Sequence, residues 1–225
     1  MPITMIHQLH FRGLFITSCV VFLALLSGCG QVNSQIRPEI MHKNFHLDPK
    51  VLTERGIAFL TPATVTGHEQ DRQALALIMA HTLKTLRPQV RVVSLPETLS
   101  AVNRNGLARE YRQMFDDYRE SGMFPRDSLR RLGEACNARY LVQINLSSFH
   151  RDMRERFNLA GFRLLQTQYA NVRLYLQVWD SETGSIAWEA LEEAQYTFDS
   201  GAEQLVTFRV VAEAAARHMI NELPQ

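Results

Sequence analysis

Cysteine is nearly missing from this chain, with three in 225 residues. Cys19 and Cys29 lie close to the amino end, so Cys136 stands alone in the body of the protein and no internal disulfide framework can form. Net charge is also nearly absent, +1 from 24 basic and 23 acidic side chains, which gives no reason to expect nucleic acid as a partner. No apolar run approaches the roughly 20 residues of a membrane-spanning helix. The sequence has no Gly-x-Ser-x-Gly elbow, no phosphate loop with its Lys and no zinc spacing of Cys and His. What is left, 46% hydrophobic and 21% charged, excludes a disordered chain, a fibrous repeat and a polytopic membrane protein. The length suits one good-sized domain, or at most two small ones.

The amino end is different in kind. Its first 28 residues contain no Asp or Glu, and Arg12 is their only fixed side-chain charge. An apolar run from Leu14 to Leu26 follows, too short to span a bilayer comfortably but suited to a secretory signal. It leads into Leu26-Ser27-Gly28-Cys29, the small-residue pattern of a bacterial lipobox. The expectation is a signal peptide over 1–28 and lipidation at Cys29, with the membrane as a partner through acyl chains. Each buried methylene contributes roughly 0.8 kcal/mol to such an anchor. Processing removes Arg12 and leaves the mature chain formally neutral. Gly30 rather than Asp follows the Cys, which favours an outer-membrane lipoprotein facing the periplasm. Residues 29–52 are polar, carry Pro38 and Pro49, and read as a flexible tether; 53–225 is then the periplasmic domain.

Within that domain the hydrophobic period alternates between strand and helix. Ile57 to Leu60 is a short buried strand, and 69–87 a helix burying Leu75, Ile78, Met79, Thr82, Leu83 and Leu86. Val90 to Leu95 returns as a strand. Three helices follow: a brief one opened by Pro96, one over 107–121 and one from Asp127 to Cys136. Strands are expected from Tyr140, around Val172 to Trp179, and from Ile186 to Phe198, the last two joined by a hairpin loop at Asp180–Gly184. Ser200-Gly201-Ala202-Glu203 reads as a capping box for a final helix reaching about Asn221. The order β-α-β-α-α-α-β-β-β-α predicts one α/β domain, with helices covering a mixed sheet of about five strands.

A lipobox followed by IAFL, a long amphipathic helix, VRVVSL, then helices leading into ARYLV and the hairpin VWDSETGSIAW resembles a group of bacterial periplasmic domains. The group includes the TolB amino-terminal domain, the curli secretion-channel lipoproteins and the lipoprotein activators of penicillin-binding proteins. The resemblance covers about residues 55–221 as an order of elements. It implies binding, assembly or secretion roles and no catalytic residues.

Candidate sites are few. His42 and His46 are four apart, but they lie in the tether without a third ligand, so no metal and no cofactor are expected. Asp116 and Asp117 are adjacent on a helix and point in different directions. The most individual stretch runs from His150 to Arg163, where Arg151, Arg154, Arg156 and Phe157 form a candidate docking surface for an envelope protein. Guanidinium groups recognise carboxylates and phosphates, and aromatic rings anchor interfaces. The stretch is too charged, with too little alternation, for a membrane hairpin. The function expected is a non-catalytic binding or assembly factor in an envelope or secretion complex, with a homo-oligomer compatible. The alternatives are a lipid-anchored periplasmic hydrolase and a subunit of an oligomeric export channel.

Overall fold

A computed structural model describes residues 33–65, 67–159, 162–200 and 207–225. Ser34–Gln225 forms one compact unit. The strands are β1 (Asn33–Asn44), β2 (Ile57–Phe59), β3 (Ala63–Thr64), β4 (Val92–Val93), β5 (Tyr140–Leu159), β6 (Phe162–Asp180) and β7 (Ser185–Ser200). The helices are α1 (Pro49–Arg55), α2 (Glu69–Leu86), α3 (Leu95–Arg104), α4 (Ala108–Ser121), α5 (Arg126–Cys136) and α6 (Phe208–Asn221). The sheet runs β1-β7-β6-β5-β2-β4, with β3 beside β5 further along the same edge. It is mixed: β2 is parallel to β4 and β5, whereas β5, β6 and β7 are antiparallel neighbours.

Alternation along the strands sorts side chains into two cores. Ile57, Phe59, Tyr140, Val142, Ile144, Leu176, Val178 and Trp188 face one way, where Leu75, Met79 and Leu83 of α2 and Val211, Ala215 and Met219 of α6 cover them. Ala58, Leu60, Leu141 and Trp179 face the other way, under α3, α4 and α5. A single α/β domain with helices on both faces results. Full burial of one side chain such as Leu141 stabilises it by about 1.5–3 kcal/mol.

The predicted order of elements is present, and three more join it. The stretch read as a tether contains β1 and the start of α1. Its two prolines sit where proline is tolerated. Pro38 lies on the edge strand of the sheet, where proline is best tolerated within a strand. Pro49 opens α1 behind Asp48, whose Oδ1 accepts from the Lys50 amide at 2.8 Å and the Val51 amide at 3.4 Å. At the other end, Ser200, read as a helix cap, is the last residue of β7. The cap of α6 is Thr207, whose hydroxyl accepts from the Val210 amide at 3.4 Å; residues 201–206 lie outside those described.

Candidate functional site

The polar end of the α3–α4–α5 face is where the sheet departs from a plain hydrophobic core. On β5, Leu141 is followed two and four residues later by Gln143 and Asn145, and their partners on β6 are Gln177 and Tyr175. A polar stripe therefore runs along a face that α4 covers. Tyr118 of α4 donates to Gln177 Oε1 at 2.9 Å, and Gln177 Nε2 donates to the Tyr175 hydroxyl at 3.1 Å. Tyr175 in turn donates to Glu189 Oε2 at 2.5 Å. Burial raises the Tyr175 phenol, and the Glu189 carboxylate raises it further.

Two turns earlier on α4, Tyr111 fixes the kink between β2 and β3. Phe59 pairs with Val142 but Ala63 with Asn145, so the β2–β3 side carries one extra residue at Thr61-Pro62. The Thr61 amide donates to the Tyr111 hydroxyl at 2.9 Å, and the Thr61 hydroxyl lies 2.9 Å from the same oxygen. Burial pushes the Tyr111 phenol up to about 12. Behind α4, Phe124 stacks on Tyr118 at 4.3 Å and meets Trp179 edge-on at 5.3 Å, which holds the helix against the sheet.

The kink, α4 and the polar stripe enclose a cleft of about 600 Å³. Arg72, Arg112 and Arg119 line it, together with Asp116, Gln143 and Asn145. Arg119 pairs with Asp116 at 2.6 Å and Arg72 with Glu69 at 3.5 Å. Gln143 is 2% exposed; its Nε2 donates to the Ile144 carbonyl at 3.2 Å, and its Oε1 has no partner among the described residues. Such a cleft can hold a polar, negatively charged group. Among the described residues no three His, Cys, Asp or Glu side chains gather as a metal site would need. His42 pairs with Glu222 at 3.1 Å, while His46 lies 3.2 Å from the Ser185 hydroxyl.

Sequence reasoning missed this cleft. Gln143 and Asn145 were visible as the alternate face of β5, and the signal was their polarity within Tyr140 to Leu146, whose other residues are apolar or aromatic. Which helix covers them depends on the parallel pairing of β2 with β5, and that is not written locally.

The residues singled out in the sequence fall elsewhere. Leu26, Ser27, Gly28 and Cys29 lie outside the described residues. Arg151, Arg154, Arg156 and Phe157 belong to β5, and their side chains lie outside the described residues. By backbone register Arg151 is opposite Ala170, Arg154 opposite Thr167 and Phe157 opposite Leu165. Arg156 is the extra residue of a register shift between Glu155 and Phe157.

No family model matches this chain, and no curated protein matches it. Among solved structures it is similar to PelC from Paraburkholderia phytofirmans, described as a dodecamer: identity is 13%, the TM-score is 0.45, and the match covers 82% of this chain and 95% of that one. It is also similar to lipoprotein GNA1162 from Neisseria meningitidis, at 11% identity and a TM-score of 0.37, covering 74% of this chain and 98% of that one. At TM-scores below 0.5 these likenesses carry no argument about what this chain does.

Proposed function

We propose that this chain is an envelope lipoprotein, held by acyl chains on Cys29 at the periplasmic face of the outer membrane. There it acts without catalysis, recruiting or stabilising a protein partner in an assembly or secretion complex. The observation that supports this reading most directly is the shape of β5. Parallel partners flank it only as far as Leu146, and from Ser148 to Leu159 its pairing among the described residues is with β6 alone. That leaves an open strand edge, which in other proteins accepts a partner strand. Arg151, Arg154, Arg156 and Phe157 all lie on this edge segment.

In-cell crosslinking of the full-length protein, followed by mass spectrometry, tests the docking role. Replacing Arg151, Arg154 and Arg156 by Ser should sharply lower partner capture and leave the melting temperature nearly unchanged. Undiminished capture by the triple variant would remove the docking surface. The anchor has its own test: Cys29→Ala should abolish fatty-acid labelling and leave an unprocessed precursor, and unchanged labelling would overturn the localisation.

A further inference from the structure

We infer that the end of the β5–β6 hairpin is a second membrane contact, dipping into the lipid headgroup layer beside the acylated Cys29 without crossing the bilayer. The inference rests on the lipid anchor proposed above and adds to it; the β5 edge from Ser148 to Arg156 stays available to a protein partner. Two relationships carry it. The anchor and the hairpin end lie at the same end of the sheet, and the hairpin is longer than the chain that tethers it.

β1 fixes where the anchor is. The amides of Phe45, His46 and Leu47 donate to the Ala187 carbonyl at 3.0–3.1 Å, so β1 ends where β7 begins. β1 is a neighbour of β7 in the sheet, so its 12 residues run back along β7 and bring Asn33 to about Phe198. Phe198 pairs with Gln168 and Gln168 with Met153, which puts Asn33 level with Met153. Cys29 lies four residues before Asn33, a reach of at most about 14 Å. From Met153 to the terminal pair of Leu159 and Phe162 the hairpin rises six more residues, about 20 Å. With the strands upright on the membrane, the hairpin end therefore stands about 6 Å beyond the farthest point Cys29 can occupy. That is the depth of a headgroup layer and far short of a hydrocarbon core of roughly 30 Å.

The residue types change at that depth. The pairs next to Met153, Arg154 with Thr167 and Glu155 with Gln166, are polar. The pairs Phe157 with Leu165 and Leu159 with Phe162 are apolar on both strands, and strand alternation assigns Phe157 and Leu159 to one face. Asn158 and Arg163 pair between them, and arginine is a residue whose stem suits acyl ends while its charge stays with headgroup phosphates. α6 does not accompany the hairpin this far. It starts with Phe208 edge-on to Phe149 at 5.2 Å and runs toward the opposite end of the sheet, where its His218 meets Glu192. Lipid is the apolar cover that the tether itself brings within reach of these end pairs.

Site-directed fluorescence on the full-length protein in vesicles of phosphatidylethanolamine and phosphatidylglycerol tests this. In a Cys136→Ala background, an environment-sensitive dye is attached through Leu159→Cys or, at the opposite end of the sheet, through Thr183→Cys in the exposed β6–β7 loop. The dye at position 159 should shift to the blue. Lipid spin-labelled near the carboxyl end of its acyl chain should quench it more than lipid labelled near the methyl end. The dye at position 183 should show neither effect. Phe157→Asp with Phe162→Asp should abolish quenching at 159 while the protein still floats with the vesicles on its acyl chains. Flotation separates the two readings: protein that does not float overturns the anchor and this contact together, whereas floating protein with an unquenched dye at 159 overturns the contact alone. Four other results also overturn it. Stronger quenching from the methyl end would mean a spanning hairpin, and equal quenching at 183 a domain lying flat. A blue shift without quenching would mean that a second copy covers the hairpin end, and undiminished quenching in the aspartate variant that these end pairs do not make the contact.

Discussion

His218 of α6 places its Nδ1 3.1 Å from Oε1 of Glu192, a carboxyl with no solvent exposure on the core face of β7. Tyr196 donates to the same oxygen at 2.8 Å, from four residues along the strand. The other carboxyl oxygen has no partner among the described residues. An ionisable group is thus built into the seam between sheet and helix. Burial raises the Glu192 pKa above 4.5, and the bonds from His218 and Tyr196 only partly oppose that.

A pH dependence follows, with a definite sign. A folded-state pKa above the unfolded value means that folding favours the protonated carboxyl. Its stabilising contribution is fully present below about pH 4.5 and is lost as pH rises through the raised value. Glu192→Gln keeps acceptors for Tyr196 and His218 but cannot ionise. Chemical denaturation should find the variant within about 1 kcal/mol of the native protein near pH 4, with its relative stability growing toward pH 8. A difference that does not move with pH would show that Glu192 is not the titrating group. Glu192→Leu, which strands both donors, should cost about 2 kcal/mol.

Gly133 permits the close approach of α5 to the β6–β7 loop. A Cβ there would lie 2.4 Å from the Ser181 hydroxyl oxygen, 2.6 Å from its Cβ and 2.9 Å from the Ala138 carbonyl. Gly133→Ala should therefore destabilise the domain by about 1–3 kcal/mol despite alanine's better helix propensity. Adding Ser181→Gly should restore part of that loss and not all, because the carbonyl remains. Thermal melts of the single and double variants decide it, and a stabilised Gly133→Ala protein would mean that the loop moves away freely.

How much of this was legible in the sequence depends on how local each cause is. The stripe from Leu75 to Leu83 and the alternation from Tyr140 to Leu146 are fixed by burial on one face, and the structure buries those residues as read. The turn after β6 was equally local: Asp180 Oδ1 accepts from the Glu182 and Thr183 amides, and Gly184 takes a positive φ. β1 was not legible, because an edge strand draws its stability from a neighbour some 150 positions away in the sequence. Ser200 misled for a similar reason: pairing of Gln166 with Ser200 makes the first residue of a sequence that looks like a helix cap the last residue of β7. The docking residues were legible as composition only, and the register shift at Arg156 was not.

Cys136 should behave as a buried apolar group. It is 7% exposed at the end of α5, and burial pushes its thiol above the ordinary value. Thiol-modifying reagent at about pH 8 should label it only as fast as the domain unfolds, and reductant should leave the melting temperature unchanged. Rapid labelling of the folded protein would show an accessible thiolate that this burial does not allow.

Tyr111 ties α4 to the kink, so its hydroxyl carries both a mechanical and a pH prediction. Tyr111→Phe leaves the Thr61 amide without its acceptor at 2.9 Å and should cost about 1 kcal/mol near pH 8. Burial raises this phenol from 10.0 to about 12, so folding favours its neutral form. The native protein's advantage over Tyr111→Phe should hold below pH 10 and shrink as pH climbs from about 10 to about 12, because the unfolded chain ionises first. The other tyrosines titrate in both proteins and cancel in the difference. A phenylalanine variant equal in stability to the native protein at pH 8 would mean that water replaces the phenol at Thr61. The kink beside the cleft would then be held by the β3–β5 pairing and not by α4.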